Sequence, residues 1–288
     1  MNSRSPCSTL SDPRAYLAQL GYDTPPPPTL DTLRALQERH VCRFPFENLS
    51  TLLRLPVPID TQSLEHKIVH GGQGGYCYEL NLLFLALLRA LGFDARGVTG
   101  RVVMGTRETA WPPRTHLLIL VTFEGHGDYI ADVGFGRMVP SVPLRLVADE
   151  PQATPLECFS LVAGNGQYTL QAKISGIWRA LYVFDLQRQE EIDFEIGNWY
   201  ISTHPTSPLA LQLIVARPGV GLRKSLINGA YAVHHIDGAT ERRQIDRAGE
   251  LLELLEHEFG IRVPQYPALT SVLERLLCHS SQTGVRSP

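Results

Sequence analysis

A cysteine at the start of an apolar helix is the residue whose position best indicates chemistry. Residues 71–76 read Gly-Gly-Gln-Gly-Gly-Tyr, Cys77 follows, and residues 82–88 are an unbroken apolar run. The first turn of a helix has backbone N–H groups without intrahelical partners and the positive end of the helix dipole, and both favour an anion. A thiol in such a place ionises more readily when a cationic group is also near. We therefore predict that Cys77 is a nucleophile.

Two other interpretations of this stretch stay open at this point. A glycine-rich turn before a helix can hold a phosphate, but such a loop ends in Gly-Lys followed by Ser or Thr, where this chain has Cys77-Tyr78. A lone cysteine also commonly packs as a small, inert hydrophobic residue. A cysteine nucleophile needs a base and a third group that orients the base, so the rest of the chain must decide.

His116 and Asp132 are the candidates for these two roles. His116 begins one predicted strand and Asp132 lies at the end of the next, with a polar reversal between them. A reversal centred on His126 would place His116 opposite position 136, and one centred nearer Glu124 would pair it with Asp132. Both arrangements put the two side chains on one face of the sheet, because strand residues alternate. The alternative for each is a polar group that is satisfied at a strand end.

The composition limits the other classes of function. The chain has 288 residues, 43% hydrophobic and 19% charged, with a net charge of −3, so we expect neither nucleic acid nor a membrane as a partner. The five cysteines form no Cys-x-x-Cys pair, and His234-His235 has only Asp237 nearby, so we expect no metal. The polar N-terminus lacks the apolar core of a signal peptide and no apolar run could span a bilayer, which predicts a cytoplasmic protein.

Hydrophobic periodicity and capping residues predict three sections of an α+β protein. Helices are predicted after Asp12 and Thr29, from Asp60 to Val69, and from Cys77 onwards, the last as the buried centre of a helical region. Short branched segments after Gly92 predict strands, which we place at 98–104, 116–123, 129–133, 161–172 (interrupted by a turn at 164–166) and 177–184. The last section combines a strand at 211–215 with helices near 245–259 and after Pro267.

Five short segments, spread over almost the whole chain, carry a family resemblance. They are Pro-Phe-Glu-Asn-Leu at 45–49, Gly-Gly-Tyr-Cys-Tyr-Glu-Leu-Asn at 74–81, Arg-Thr-His at 114–116, Asp-Val-Gly-Phe-Gly at 132–136 and Asn-Trp-Tyr-Ile-Ser-Thr at 198–203. In this order they resemble the arylamine N-acetyltransferases. The resemblance implies an N-terminal helical domain at 1–91, a central β-barrel domain at 92–200 and a C-terminal α/β lid at 201–288, around a cysteine-protease-like Cys-His-Asp core.

The resemblance also implies an activity and its residues. Cys77, His116 and Asp132 would be the catalytic triad of an enzyme that acetylates arylamines, arylhydrazines or related amines. Acetyl-CoA would be the acyl donor, no metal would be needed, and the ping-pong mechanism would pass through an acetyl-cysteine. Phe46, Tyr76 and Phe135 are the apolar residues that we expect to line a site for a flat acceptor, although each could equally belong to the core.

Two positions depart from the family pattern. Gln73 stands where the family usually has an arginine, which would be expected to pair with Glu47, so Glu47 needs either Arg43 or a proton instead. Leu209 stands where the family tends to have a phenylalanine in the wall of the acceptor pocket, and an aliphatic side chain removes a stacking surface. The second departure bears on acceptor preference.

Two alternative functions are compatible with the same residues. The chain order Cys, His, Asp also suits a transglutaminase- or papain-like thiol acyltransferase or hydrolase. A catalytically impaired binding protein of the same fold is the alternative from a different class, and Gln73 is the reason to consider it.

Overall fold

A computed structural model describes residues 9–105 and 111–283, with only the backbone for residues 279–283. Cys7 and most of the N-terminal stretch that lacks a signal-peptide pattern lie outside these residues. The predicted α+β class is confirmed, with a helical N-terminal region, a nearly closed eight-stranded barrel and a C-terminal α/β part. Within the described ranges, no helix is both long and apolar enough to cross a membrane.

The helices begin at the capping residues that the sequence indicates. The side chains of Asp12, Thr29 and Asp60 accept hydrogen bonds from backbone N–H groups three residues further on, at 2.9, 3.2 and 3.1 Å. A π-helical segment (Glu65–His70) extends the third predicted helix. In the part of the chain that the structure describes, the α-helices are α1 (Pro13–Gln19), α2 (Leu30–Arg43), α3 (Leu49–Leu52), α4 (Thr61–Leu64), α5 (Cys77–Ala90), α6 (Glu191–Thr203), α7 (Pro208–Leu211), α8 (Ala248–His257) and α9 (Leu269–Thr283).

An antiparallel eight-stranded sheet forms the barrel, in the order β4-β3-β2-β1-β8-β7-β6-β5. Its edge strands β4 and β5 are two residues long, and the side chain of Gln152 joins them through bonds of 2.7 and 2.9 Å to the backbone of Arg145. The sheet is therefore nearly closed. Its strands are β1 (Asp94–Val102), β2 (Arg114–Phe123), β3 (Gly127–Ala131), β4 (Leu144–Arg145), β5 (Gln152–Ala153), β6 (Cys158–Gly164), β7 (Gln167–Ile174) and β8 (Ile177–Phe184).

A four-stranded antiparallel sheet, β9 to β12 in chain order, lies in the C-terminal part. One edge, β9, exchanges backbone hydrogen bonds of 2.9 and 3.0 Å between Ala216 and Phe46. The other edge, β12, carries consecutive exposed charged side chains. The strands are β9 (Ile214–Gly219), β10 (Leu222–Ile227), β11 (Ala230–His235) and β12 (Thr240–Gln244).

The strand predicted at 211–215 was placed too early, because residues 208–211 form α7. The side chain of Asn48 explains the difference. Its Nδ2 donates to the backbone oxygens of Leu209 and Gln212, both at 2.7 Å, and its Oδ1 accepts from the N–H of Ile214 at 2.7 Å. A residue far away in the sequence therefore fixes the turn, and local propensity does not reveal it.

Helix α5 is the buried centre of the N-terminal region, as predicted. It shares one hydrophobic core with Leu117, Ile119 and Val121 of β2. The alternate residues of that strand, Leu118 and Leu120, belong to the core inside the barrel. The expected domain boundary after residue 91 falls between α5 and β1, and the one after residue 200 falls inside α6.

Candidate active site

The N-terminus of α5 presents Cys77 at the first helical position. The preceding residue, Tyr76, donates its backbone N–H to Oε2 of Glu79 at 3.1 Å, which caps this end of the helix. Cys77 is buried, with 6% of its surface exposed, and its Sγ lies 3.5 Å from the backbone oxygen of Thr115. The sulfur is therefore held next to the residue that precedes His116.

The register of β2 and β3 brings His116 and Asp132 together. Ile119 faces Ala131, so the turn centre lies midway between the two predicted centres. By extension Leu118 faces Asp132, and His116 lies two residues further along on the same face. The Nε2 atom of His116 is 2.7 Å from Oδ2 of Asp132, and both side chains are almost fully buried.

Asn81 holds the Asp132 carboxylate from the same helix that carries Cys77. Its Nδ2 donates to Oδ1 of Asp132 at 3.0 Å and its Oδ1 accepts from the N–H of Val133 at 3.0 Å. The N–H of Gly134 donates to the same carboxylate oxygen at 2.9 Å. No role for Asn81 was predicted from the sequence, although its position one helical turn after Cys77 was a usable signal.

The buried charges of this cluster stabilise each other. Burial alone would lower the pKa of His116, but the Asp132 carboxylate, its hydrogen bond and the neighbouring Cys77 outweigh burial and raise it. Burial alone would raise the pKa of Asp132, but His116, Asn81 and Gly134 outweigh it and lower it. The arrangement therefore favours a protonated imidazole against an ionised carboxylate.

A cavity of about 520 Å³ opens above these residues. Cys77 and His116 both line it, so a molecule in the cavity would reach the sulfur and the imidazole together. Three of the four residues expected to contact substrate, Phe46, Phe135 and Leu209, also lie in its wall. The lining further includes residues that the sequence analysis did not single out, among them Arg137, Met104, Tyr200, Gln212 and Ile227.

Tyr76, the fourth expected wall residue, does not lie in the cavity wall. Its side chain is fully buried, and its hydroxyl hydrogen-bonds to Oδ1 of Asn198 on α6. Because Tyr76 precedes the first helical residue, its backbone conformation directs the ring into the core while Cys77 faces the cavity. The structure therefore places this residue in the support of the site.

Glu47 has a cationic partner that the sequence analysis did not identify. Lys67 Nζ lies 3.4 Å from Oε1 of Glu47 and 2.7 Å from Oε1 of Glu79. Arg43, the candidate proposed from the sequence, instead donates to the side chain of Gln19 at 2.9 Å. The departure at Gln73 is thus accompanied by a lysine that pairs with Glu47.

The residues that could suggest a metal have other partners. His234 Nδ1 lies 3.1 Å from the hydroxyl of Thr240, and His235 Nε2 lies 2.9 Å from Glu241. Among the residues described, no group of three or more His, Cys, Asp or Glu side chains could hold a metal ion.

Comparison with known proteins gives consistent matches over most of the chain. The sequence profile of the N-acetyltransferase family matches residues 29–267. The arylamine N-acetyltransferase of Mycolicibacterium smegmatis is 39% identical over 249 residues, which cover 85% of this chain and 90% of that protein. The arylamine N-acetyltransferase of Mycobacterium tuberculosis (strain ATCC 25618 / H37Rv) is 37% identical over 283 residues, which cover 96% and 99%.

Solved structures give the same result. The structure of Mycobacterium marinum arylamine N-acetyltransferase superposes with a TM-score of 0.89 at 36% identity, covering 92% of this chain and 100% of that one. The structure of the M. marinum arylamine N-acetyltransferase in complex with CoA superposes with a TM-score of 0.88 at 36% identity, covering 92% and 99%.

Proposed function

The chain belongs to the arylamine N-acetyltransferase family, and on this basis we propose that it transfers an acetyl group from acetyl-CoA to an arylamine, an arylhydrazine or a related amine through an acetyl-cysteine at Cys77. The observation that carries the proposal is the opening of Cys77 and His116 into one cavity, with Asp132 bonded to the far nitrogen of the imidazole. This is the relation among nucleophile, base and orienting group that covalent catalysis requires.

In the first half-reaction the Cys77 thiolate attacks the carbonyl carbon of the acetyl-CoA thioester. A bond forms between that carbon and Sγ, the bond to the CoA sulfur breaks, and the CoA thiolate takes a proton from His116. The raised pKa of His116 supports this, because a protonated imidazole can both pair with a thiolate and release a proton to the leaving group.

In the second half-reaction the amine attacks the acetyl carbon on Cys77. A carbon–nitrogen bond forms, the bond to Sγ breaks, and His116 accepts the proton that the amine nitrogen loses. Asp132 does not exchange a proton in either step. It keeps Nε2 of His116 as a donor, which leaves Nδ1 to serve the sulfur and the amine.

The negative charge on the carbonyl oxygen needs donors close to Cys77. The backbone N–H of Cys77 is a candidate because it lies in the first turn of α5, where amides have no intrahelical acceptor. One such donor contributes about 2.7–4 kcal/mol in the enzyme where it has been measured. Phe46, Phe135 and Leu209 offer apolar contact to a flat acceptor, and the aliphatic Leu209 favours acceptors that depend little on stacking.

The test is the intact mass of the protein after incubation with acetyl-CoA alone. We expect a single acetyl adduct that is absent from Cys77→Ala, and its loss with formation of an N-acetyl product when an arylamine or arylhydrazine is added. No adduct, together with no CoA release in the presence of any such amine, would refute the proposal. Adduct decay that water alone drives at the same rate would favour the hydrolase alternative.

The alternative of a catalytically impaired binding protein depended on Gln73. The contact between Lys67 and Glu47 weighs against this alternative, because the glutamate has a cation nearby in spite of the glutamine.

A further inference from the structure

A buried cluster of three charged side chains lies beneath the N-terminus of α5. Glu47 and Glu79 are 0% and 1% exposed, and the Lys67 side chain between them is 17% exposed. The Lys67 ammonium reaches both carboxylates, at 3.4 and 2.7 Å. In the part of the chain that the structure describes, neither carboxylate has another ion pair. Two buried carboxyl groups therefore share one lysine.

Each carboxylate uses its second oxygen to accept a backbone hydrogen bond. Glu79 Oε2 accepts from the N–H of Tyr76, the residue before Cys77, at 3.1 Å. Glu47 Oε2 accepts from the N–H of Leu49 at 2.6 Å. The backbone N–H of Glu47 also donates to the oxygen of Gly75 at 2.9 Å. Lys67 thus joins the segment that contains Phe46 to the segment that ends in Cys77.

The two glycines before Tyr76 allow this close approach. A Cβ on Gly74 would lie 2.1 Å from the backbone oxygen of Pro45 and 2.9 Å from Cγ of Glu47. A Cβ on Gly75 would lie 2.7 Å from Cβ of Glu79. Side chains at these positions would push both carboxylates away. The glycine-rich run therefore provides the space that the charged cluster occupies.

Position 73 is a neighbour of Lys67 in space. The backbone N–H of Gln73 donates to the backbone oxygen of Lys67 at 3.3 Å, and Gln73 directly precedes the glycine that packs on Glu47. A cation that entered from position 73 or from position 67 would therefore approach the same carboxylate.

We infer that Lys67 is a positioning residue for the acyl-transfer centre, because its ammonium is the cation that the two buried carboxyl groups share. Through Glu47 and Glu79 it fixes Phe46 in the cavity wall and Cys77 at the helix start. The inference rests on the proposed function of Cys77. It does not make Lys67 a catalytic residue, since its ammonium contacts the two carboxylates and not the reacting atoms.

The test measures the rate of Cys77 acetylation by acetyl-CoA in a single turnover, followed by intact mass. Lys67→Met keeps the length of the side chain and removes its charge, and we expect acetylation about 10- to 100-fold slower, the cost of a small misplacement of reacting groups. The affinity for CoA, measured by calorimetry, should stay unchanged. Lys67→Arg and the double variant Lys67→Met with Gln73→Arg should both recover most of the rate, because each returns a cation to the carboxylates.

Lys224→Met is the matched control, since it removes another lysine–glutamate contact of 2.7 Å, to Glu258 in the C-terminal part, and should leave the rate unchanged. The inference is overturned if Lys67→Met acetylates as fast as the parent chain, or if the Gln73→Arg double variant is as slow or as unfolded as Lys67→Met alone. If Lys67→Met does not fold, the double variant still decides, because it must fold and react.

If the proposed function is wrong, acetyl-CoA will not acetylate the parent chain, and this result differs from any that refutes the positioning role. In that case the rate of Cys77 alkylation by iodoacetamide and the hydrogen exchange of a peptide covering residues 71–78 replace the acetylation rate. Lys67→Met should alter both and Gln73→Arg should restore both, and no difference among the variants would refute the positioning role.

Discussion

Gly134 offers the most direct test of how the site is assembled, because a single methyl group there collides with two of its parts. A Cβ at this position would lie 2.7 Å from Cα of Cys77 and 2.7 Å from Nδ2 of Asn81, and 3.2 Å from the backbone oxygen of Cys77. The lower limit of ordinary contact is 3.4 Å, so the neighbours must retreat by roughly 0.7 Å. Neither is the free end of a flexible side chain, since Asn81 Nδ2 is bonded to both Asp132 and Leu117.

We expect Gly134→Ala to slow acetylation of Cys77 by about 100-fold, or ~2.7 kcal/mol in the barrier, because misplacement of reacting groups by about 1 Å has a cost of that size. Overpacking should also lower the free energy of unfolding by about 1–3 kcal/mol, which leaves a folded protein to assay. The assay is single-turnover acetylation followed by intact mass, beside thermal unfolding of the same sample.

Gly164→Ala is the control for this prediction. Gly164 lies in the same barrel, on β6, and a Cβ there would meet no atom within 4 Å. Its acetylation rate should match that of the parent chain. A Gly134→Ala protein that is folded and acetylates at the parental rate would show that the approach of the Asp132 loop to Cys77 does not set the geometry of the site.

Three further predictions follow from the buried groups and the cavity. Asp132→Asn should reduce the rate of Cys77 acetylation by about 10²–10⁴-fold, since it removes the charge that raises the pKa of His116. An acetylation rate equal to that of the parent chain would refute the role of Asp132 in the triad. Burial lowers the pKa of His40 from its usual 6.5 to about 3. Burying this residue in its neutral form is therefore compatible with full stability of the folded protein above pH 6.5, and that stability is lost as the pH falls from 6.5 towards 3. His40→Leu should therefore make the free energy of unfolding, measured with urea, less dependent on pH in that range, by up to about 1.4 kcal/mol per pH unit. An unchanged pH dependence would contradict the lowered pKa of His40. Leu209→Phe adds a ring to the cavity wall and should lower KM for arylamines relative to amines without an aromatic ring, a preference that steady-state kinetics would measure.

The sequence was informative where chemistry and periodicity point to the same residues. Strand alternation placed His116 and Asp132 on one face before the register was known, and the structure brings them within hydrogen-bonding distance. The apolar character of residues 82–88 on every side predicted the buried position of α5. Capping residues gave the helix starts, because a side-chain acceptor for an unpaired N–H is a local property.

Contacts between segments that are distant in the sequence could not be predicted from local patterns. Lys67 was missed because the π-helical segment Glu65–His70 changes which side chains share a face, so α-helical spacing does not direct Lys67 to Glu47. Tyr76 was expected in the cavity wall as an apolar residue, but it is buried in the core, because adjacent residues at a helix start point in different directions. The turn at Pro208–Leu211 depends on Asn48 and has no local signal.

The edges of the two sheets also bear on how the protein behaves at high concentration. An open strand edge is a template for aggregation, and this chain limits that risk at each edge described. The barrel ends in strands of two residues joined through Gln152, which are too short to recruit another chain. In the C-terminal sheet, β9 is covered by Phe46 and β12 carries Glu241, Arg242 and Arg243, whose charges disfavour the addition of a further strand.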